Sequence, residues 1–418
     1  MQLKLKTLLN LKAKYSHFVY QDVRLNEARA VPRIEVTVLP RQGSKGICSG
    51  CNKPCAGYDR LKQREFIHVP LWGLMVVLLY CMRRLKCPTC GIVVESVPWS
   101  SGKSPLTKGY AWFLSEWAKL LSMQEVARQF KSTWHHVYTA VAMAVTWGRE
   151  RMDLTGITAL GVDEIYWAKG SFMTLVYQID NHCKRLIWCG EKRTLKTIND
   201  FFDWFGEERC QLLKFVCSDM WKPFLKTIAE RASGALNILD RFHISQKLGE
   251  AIDKVRASET STLIKKGKEV ILKHSRWVLL KNPDNLTNNQ KIKLKDLLCC
   301  NLKTIRAYLL KEDFKSFWEY TSPTWASKFL DAWCTQVMRS KLEPMKKVAK
   351  TIRSHKQLIL NWFEAKNIIS LGAVEGQNNK AKVVIRKSYG FKTAEMLKMA
   401  LYHKLGKLPI PELAHRYF

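Results

Sequence analysis

The hydrophobic pattern along the chain changes character several times, and these changes divide it into regions. Residues 31–39 alternate apolar and polar positions, as a half-buried strand does, whereas residues 106–151 show helical periodicity. Residues 153–242 carry short apolar runs separated by helical stretches, and residues 243–362 are helical with almost no strand signal. No run approaches the ~18 apolar residues that a membrane-spanning helix needs. The pattern predicts a multidomain α/β protein.

The order of elements in residues 153–242 is the most informative part of this pattern. Three strand-like runs follow one another with tight connections, at 160–162, 172–180 and 184–189. The elements predicted after them alternate between helix and strand, at 194–205, 212–218, 223–232 and 235–239. Three consecutive strands followed by helix, strand, helix and strand are the order of the ribonuclease H-like fold. We therefore predict a ribonuclease H-like core, which residues 243–362 interrupt as an all-helical insertion.

Carboxylates stand at the ends of three predicted strands in this region: Asp163, Asp219 and Asp240. Strand ends are where open α/β sheets place their chemistry. Far downstream, Glu375 lies on another predicted helix. Two strand-end aspartates and one helical glutamate on a very basic protein suggest a divalent-metal site that acts on phosphodiesters. Glu164 is a rival metal ligand on chemical grounds.

The predicted helix that carries Glu375 also has a polar stripe. Three residues share its face at spacings of four, seven and eleven residues: Asn379, Lys382 and Arg386. An amide and two cations behind a metal-binding carboxylate would suit contacts with DNA phosphates. A surface ion-pair stripe is the alternative interpretation.

The charge of the chain supports a polyanionic partner. Its 418 residues contain 69 Lys and Arg against 36 Asp and Glu, a net charge of +33. Such an excess favours nucleic acid as partner, with a membrane surface as a distant second choice. We find no signal-peptide pattern and expect a cytoplasmic protein whose 13 cysteines are reduced.

Two Cys-x-x-Cys turns predict one structural zinc ion. Cys48 and Cys51 form the first pair, and Cys87 and Cys90 form the second. Each turn presents two thiolates, so that two turns can complete a tetrahedral site. A predicted hairpin between residues 66 and 85 would return the second turn to the first. The gap between the turns is longer than in most zinc ribbons, so free buried cysteines are the alternative, with Cys55, His68 and Cys81 as reserve ligands.

Residues 106–151 predict a helix-turn-helix. Ser122 can cap a short helix at 123–130, residues 131–133 form a polar turn, and a longer helix follows. The second helix of such a motif enters the major groove of DNA. Four of its first residues are candidates for base contacts: Trp134, His135, His136 and Tyr138. An ordinary helical hairpin is the alternative.

Several motifs occur in an order that resembles the ISL-three insertion-sequence family of DDE transposases. After the cysteine turns and the helix-turn-helix come Gly161-Val-Asp-Glu164, Ser218-Asp-Met-Trp-Lys-Pro223, Asp240-Arg-Phe-His243 and Val374-Glu-Gly-Gln-Asn-Asn-Lys380, followed by Tyr389-Gly-Phe391. The resemblance extends from Cys48 to Leu405. It implies that Asp163, Asp219 and Glu375 are the catalytic triad, while Asp240 and His243 match a signature without an assigned role.

The resemblance also implies an activity and its cofactors. Such an enzyme binds the terminal inverted repeats of an insertion sequence, hydrolyses DNA there and joins the freed 3′-hydroxyl to target DNA. The triad would hold two Mg²⁺ ions, with Mn²⁺ as a substitute. We expect double-stranded DNA as the partner, at least a homodimer on that DNA, no membrane association, and a prokaryotic cytoplasmic protein that lies on the nucleoid when bound.

Two other functions fit parts of the sequence. A non-catalytic, sequence-specific DNA-binding regulator would keep the zinc module and the helix-turn-helix on a degenerate nuclease fold. An RNA-processing nuclease of the same fold would explain the charge and the carboxylates but not the helix-turn-helix.

These expectations divide the chain into six segments. They are an N-terminal basic segment (1–40), a zinc-binding module (41–104), a helix-turn-helix DNA-binding domain (105–152), the first part of the ribonuclease H-like catalytic core (153–242), the helical insertion (243–362) and the C-terminal part of the core (363–418).

Overall fold

A computed structural model describes residues 5–12, 14–28, 31–267, 271–366, 368–369 and 372–412. Contacts divide the chain into two compact units. The N-terminal unit contains the residues up to Met152 together with the chain from Glu395 onwards, and the central unit contains Asp153–Ala394.

A six-stranded sheet forms the first part of the N-terminal unit. Helix α1 (Leu5–Lys12) precedes its strands, which are β1 (Phe18–Asn26), β2 (Arg33–Pro40), β3 (Gly46–Cys48), β4 (Pro54–Leu71), β5 (Leu74–Cys87) and β6 (Gly91–Ser96). The strand order is β1-β2-β5-β4-β3-β6. Aromatic rings fill the core on one side of it, where Trp99 meets Phe18 and Tyr80 edge to face at centroid distances of 4.8 and 5.3 Å.

Strands β4 and β5 form a hairpin that is longer than the sequence predicted. Its turn is Trp72-Gly73, with φ of +51° and +79°, the left-handed conformation that a two-residue hairpin turn requires. Pairing continues as far as Ala56 opposite Lys86, well beyond the predicted start at residue 66. The hairpin therefore ends with Cys87 next to the first cysteine turn, as its predicted role requires.

Three helices follow the sheet in the N-terminal unit: α2 (Lys108–Leu120), α3 (Met123–Gln129) and α4 (Trp134–Glu150). Ser122 caps α3 in a complete capping box with Glu125, and Thr133 caps α4. Both helix starts agree with the prediction. Phe113 of α2 packs against Phe130, with centroids 4.8 Å apart, so that α3 is fixed against the first helix.

The central unit is built on a five-stranded sheet. Its strands are β7 (Ala159–Ala168), β8 (Ser171–Gln178), β9 (Arg185–Glu191), β10 (Phe215–Ser218) and β11 (Leu236–Leu239), in the order β11-β10-β7-β8-β9. Strand β8 is antiparallel to β7 and β9, whereas β10 is parallel to β7 and β11. All five strands lie where the sequence pattern predicts them.

The first strand of this sheet differs from its prediction in one respect. A short strand that ends before Asp163 was expected, but β7 continues to Ala168 because its antiparallel pairing with β8 continues through Asp163 opposite Leu175. The parallel pairing with β10 stops at Gly161. Asp163 therefore lies just beyond the parallel part of the sheet, and the carboxylate still reaches the edge where β10 ends.

Helices cover the sheet and extend the central unit. Those between the strands are α5 (Leu195–Phe205), α6 (Glu207–Gln211) and α7 (Lys222–Arg231). The all-helical segment contains α8 (Arg241–Lys265), α9 (Arg276–Leu280), α10 (Asn288–Leu298), α11 (Lys303–Lys315), α12 (Pro323–Arg339), α13 (Glu343–Ser354) and α14 (Lys356–Ala365). Periodicity predicts two helices at 243–256 and 260–275, yet α8 is continuous through residues 257–259, because no Gly or Pro interrupts them.

Helix α15 (Ala373–Lys387) returns to the sheet of the central unit. Its Val374 packs on Gly161 so closely that a Cβ at position 161 would stand 2.3 Å from a methyl carbon of Val374. Glycine therefore permits the close approach of α15 to β7. This contact fixes the height of Glu375 relative to the edge of the sheet.

The last helix, α16 (Ala394–Leu405), belongs to the N-terminal unit from Glu395 onwards. The sequence analysis placed it in the catalytic core, with the rest of residues 363–418. In the structure, Arg149 of α4 stacks on the ring of Tyr402, with its Cζ 4.2 Å from the ring centroid. Local periodicity carries no information about such a contact between residues that are distant in sequence. Within the described residues, no helix is long and apolar enough to span a membrane.

Candidate functional site

Asp163 is buried between strand β7 and helix α15 and is held by named donors. Asn378 of α15 donates a hydrogen bond from Nδ2 to Asp163 Oδ2, and the Glu164 amide donates to Oδ1 at 2.8 Å. Tyr177 on β8 donates its hydroxyl to Asn378 Oδ1 at 2.7 Å. Tyr177 stands opposite Gly161, so that it shares the face of the sheet on which α15 lies. The carboxylate is thus oriented by a buried chain of two hydrogen bonds.

Asp219 follows directly after β10 and meets an arginine that the sequence analysis did not identify. Arg193 lies 2.6 Å from Asp219 Oδ2 through Nη2 and 2.8 Å from Glu164 Oε1 through Nε. The Trp221 amide donates to Asp219 Oδ1 at 2.9 Å. Side chains alternate along a strand, so Glu164 points to the opposite face from Asp163. Arg193 bridges the carboxylate of Glu164 on β7 and that of Asp219 at the end of the neighbouring strand β10.

Asp240 and His243 lie at the start of α8, beside these carboxylates. Asp240 caps the helix by accepting a hydrogen bond of 2.9 Å from the Phe242 amide. His243 Nε2 lies 3.7 Å from Asp163 Oδ2. Burial lowers the pKa of His243, but the carboxylates of Asp163, Asp240 and Asp219 together outweigh this effect and leave its pKa raised. Asp240 therefore has a structural role in capping, and His243 faces the candidate site directly.

Glu375 is exposed in the first turn of α15. Positions three apart are neighbours on a helix surface, so Glu375 adjoins Asn378, which touches Asp163. Burial raises the pKa of Asp240, and the negative charge of Glu375 contributes to this rise. The structure therefore brings Asp163, Asp219, His243 and the start of α15 to one edge of the sheet. The predicted stripe, Asn379, Lys382 and Arg386, is exposed along the same helix.

Burial, and to a smaller extent repulsion between neighbouring carboxylates, raises pKa values at this edge of the sheet. Burial, followed by the charge of Asp219, raises the pKa of Glu164 to about 7 even though Arg193 lies beside it. Burial also raises the pKa of Asp219. Oε2 of Glu164 is buried without a hydrogen-bond partner. Mg²⁺ and Mn²⁺ bind hard oxygen donors of this kind, but among the described residues no three of these side chains bring their ligand atoms as close together as the four cysteines described below.

A pocket of about 380 Å³ opens next to this group. Its walls combine acidic, basic and aromatic side chains, among them Glu164, Arg193, Asp219, Trp221, His243 and Lys247. The pocket therefore offers both ligands for a cation and donors for a phosphate.

The hydrogen bond from Asn378 leads to a testable expectation. Asn378→Ala should lower metal-dependent DNA cleavage about 10- to 100-fold, the usual effect of losing a group that orients a metal ligand. Tyr177→Phe should have a smaller effect, because it removes one hydroxyl and leaves the Asn378 amide in place. Single-turnover cleavage rates of the three proteins would be compared, with thermal unfolding as the control for folding. Equal rates for Asn378→Ala and wild type would contradict a role in orienting Asp163.

The four predicted cysteines converge in the N-terminal unit. The Sγ atoms of Cys48, Cys51, Cys87 and Cys90 all lie within 4.8 Å of one another, and among the described residues they are the one group that meets this criterion for a metal site. Cys48 ends β3 and Cys87 ends β5, so that the long hairpin supplies the second turn. The cluster confirms the predicted four-cysteine grouping.

Backbone amides contact the sulfur atoms of Cys48 and Cys87. The Gly50 amide donates to Cys48 Sγ at 3.4 Å. The amides of Cys90 and Thr89 lower the pKa of Cys87 to about 6. Soft thiolates at tetrahedral spacing are suited to zinc. The reserve ligands are not in the cluster: Cys55 is buried beside it, and His68 Nδ1 lies 2.9 Å from Thr107 Oγ1.

The predicted base-contacting residues occupy the first turns of α4. His135 is exposed, whereas Trp134, His136 and Tyr138 are half-buried. The rings of Trp134 and Tyr138 stack in parallel, with centroids 5.2 Å apart. His136 Nδ1 lies 3.2 Å from Ser132 Oγ in the preceding turn. His135 is therefore the freest of the four to meet a partner.

Sequence reasoning missed two residues that the structure places at the carboxylates, Arg193 and Asn378. Arg193 had no signal, because it lies in a connection between a strand and a helix without a motif of its own. Asn378 had a weak one, since it adjoins Asn379 and follows Glu375 by three positions. The four-residue spacing led to Asn379, which faces solvent.

Comparison with known proteins identifies the family of this chain. The ISL-three DDE transposase family, described as "Transposase", matches residues 160–401 and so includes Asp163, Asp219 and Glu375. A transposase for insertion sequence element IS1001 from Bordetella parapertussis is 29% identical over 84% of this chain and 86% of its own length. A transposase for insertion sequence element IS1557 from Mycobacterium tuberculosis is 26% identical over 91% of this chain and 90% of its own. The family match covers more than half of the chain, which therefore belongs to the ISL-three family of DDE transposases.

Proposed function

We propose that this protein is the transposase of an insertion sequence, which binds the terminal inverted repeats and catalyses metal-dependent DNA cleavage and strand transfer. The observation that carries the proposal is the meeting of Asp163, Asp219 and the first turn of α15 at one edge of the sheet. The regulator alternative would need a degenerate site, whereas all three carboxylates are present.

The topology of the central unit supports a ribonuclease H-like core. Three antiparallel strands lie on one side of the sheet, and two strands parallel to the first lie on the other. The all-helical segment α8 to α14 stands between β11 and α15 in the chain, where the insertion was expected. This fold assignment is consistent with the carboxylates coming from the first strand, the fourth strand and the last helix of the unit.

Asp163, Asp219 and Glu375 are the residues that would hold two Mg²⁺ ions, or Mn²⁺ in their place. When bound, such a pair activates the attacking oxygen and stabilises the leaving one. The protein supplies no nucleophile of its own, because the attacking groups are water and then the 3′-hydroxyl of the DNA. Asn378 keeps Asp163 in a single orientation, and Lys382 and Arg386 are placed to contact phosphates beyond Glu375.

The N-terminal unit would recognise the DNA ends. Helix α4 and the turn before it have the layout of a helix-turn-helix. One zinc ion bound by the four cysteines would stabilise the six-stranded sheet of the same unit. The net charge of +33 suits double-stranded DNA, both the inverted repeats and the target. Cutting two ends together requires at least a dimer on the DNA.

The test of this function is cleavage of labelled duplex DNA that carries the element's own end. Wild-type protein with Mg²⁺ should nick at the terminal nucleotide and should join that end to a second duplex. Binding without cleavage in both Mg²⁺ and Mn²⁺ would favour the regulator instead. Failure to bind this DNA would show first of all that the helix-turn-helix assignment is wrong.

The proposed base contacts of helix α4 lead to a separate prediction. His135→Ala should weaken binding to the element's end about tenfold, since one base contact contributes about 1–3 kcal/mol, and should leave binding to unrelated duplex nearly unchanged. His182→Ala is the matched control, because His182 is an exposed histidine in the turn after β8 of the central unit. Fluorescence anisotropy at fixed salt would measure both affinities. An equal loss on both DNAs would mean that His135 does not read bases.

A further inference from the structure

Arg193 holds a position that conflicts with metal binding. Its guanidinium spans Asp219 Oδ2 at 2.6 Å and Glu164 Oε1 at 2.8 Å, and its Cζ lies 4.7 Å from the centroid of the Trp221 ring. One cation thus neutralises carboxylates from two strands while it packs on an aromatic face. This arrangement gives the buried carboxylates a counter-ion within the protein.

A divalent cation on Asp219 would compete with this guanidinium. The Oδ2 atom cannot hold both at contact distance, because their positive charges repel each other strongly in a half-buried site. The other oxygen, Oδ1, already accepts the Trp221 amide. Metal binding at Asp219 Oδ2 therefore requires the head group of Arg193 to move away.

The surroundings of Arg193 allow a side-chain movement without a change of fold. The backbone is fixed on both sides: the Lys192 amide donates to Phe172 O at 2.9 Å, Thr174 Oγ1 donates to Lys192 O at 2.9 Å, and Thr194 caps α5. The pocket of about 380 Å³ adjoins the guanidinium. Rotation of the side chain into this pocket is sufficient to free Asp219.

Donors for a phosphate line this pocket together with the carboxylates of Glu164, Asp219 and Glu250. His243 and Lys247 both line it and are four residues apart on α8, so that they share one side of the helix. With Arg193 they would place three cationic or protonatable groups around the same space. The planar guanidinium can bind a phosphate through two parallel hydrogen bonds.

We propose that Arg193 is an exchangeable counter-ion of the active site. It pairs with Asp219 and Glu164 before the metal binds, and it binds a backbone phosphate next to the scissile bond once the metal has taken its place. The inference deepens the proposed function and rests on it. It assigns Arg193 as a substrate-binding residue and the adjoining pocket as the site of a flanking DNA phosphodiester.

The first arm of the test measures metal binding without DNA. Arg193→Gln should bind Mn²⁺ about tenfold more tightly than wild type by calorimetry, because it no longer loses a charge-assisted contact on binding. Lys196→Gln is the matched control: it removes one positive charge three residues away, on a side chain that is 82% exposed and paired with Asp200. Its Mn²⁺ affinity should equal that of wild type. Equal affinities for Arg193→Gln and wild type would overturn the exchange.

The second arm measures DNA binding in Ca²⁺, under conditions in which no product forms. Arg193→Gln should bind a duplex with the element's end about tenfold more weakly than wild type in Ca²⁺, and with equal affinity in a buffer without added divalent metal or chelator, which leaves the structural zinc in place. A purely structural role would weaken binding in both buffers. Unchanged affinity in Ca²⁺ would overturn the phosphate contact.

The outcomes separate this inference from the proposed function. If wild type binds no Mn²⁺, or if Asp163→Asn binds it equally well, the metal site itself is wrong and the proposed function fails. If wild type binds Mn²⁺ through Asp163 and Arg193→Gln matches it in both arms, only the role of Arg193 is wrong.

Discussion

Asp163→Asn should abolish metal-dependent cleavage of DNA that carries the element's end, with a loss on the order of 10³-fold or more. The carboxylate is buried, points at the site from β7 and is the one that α15 orients through Asn378. A bound metal contributes several kcal/mol of charge stabilisation in the transition state, and each ~1.4 kcal/mol is a factor of ten in rate. Asparagine keeps the shape and removes the charge that holds the ion. Single-turnover cleavage in Mg²⁺ and in Mn²⁺ would measure the loss.

A second buried aspartate of the same unit provides the control. Asp180 accepts hydrogen bonds from Thr158 Oγ1 at 2.6 Å and from Gln178 Nε2 at 2.9 Å, so its role is structural. Asp180→Asn should lower the unfolding temperature but keep cleavage at temperatures where the protein is folded. If Asp163→Asn behaved like Asp180→Asn, Asp163 would be a structural residue. Asp219→Asn and Glu375→Gln should follow Asp163→Asn, and full activity in either would remove that residue from the triad.

Cys87→Ser should remove zinc from the protein and unfold the region around the four cysteines. The cluster closes two turns that are far apart in sequence. Zinc binding and folding of such small sites are coupled, so the loss of one ligand affects both. Metal analysis should show about one zinc ion per chain in wild type and about none in the variant. Binding to the element's end should fall with it.

Cys55→Ser is the matched comparison for this change. Cys55 packs in the same apolar cluster as Cys48 and Cys87, but it is not one of the four converging cysteines. Its Sγ instead donates to the Lys53 carbonyl oxygen at 3.5 Å. Its variant should retain zinc. Retention of zinc by Cys87→Ser, or loss of zinc from Cys55→Ser, would show that the ligand set has been assigned incorrectly.

Many of these features depend only on residues that are close together in sequence, and they could therefore be predicted from the sequence. Ser122 and Glu125 form a capping box that needs only four consecutive residues, so the start of α3 could be predicted without knowledge of packing. The cysteine turns are equally local, and their residues meet as expected. Short apolar runs predicted the strands of the central sheet, and their order in the chain predicted the side-by-side placement of Asp163 and Asp219.

Contacts between residues distant in sequence decided the remainder. Arg193 reaches Asp219 across 26 positions and Asn378 reaches Asp163 across 215, distances over which no periodicity carries information. The same limit explains why β7 continues past Asp163, since its length depends on pairing with β8 and not on its own residues. The sequence by itself determined the elements, the cysteine turns and the candidate triad. The tertiary structure decided which cation and which amide hold that triad, because electrostatic and hydrogen-bond partners are chosen by proximity in space.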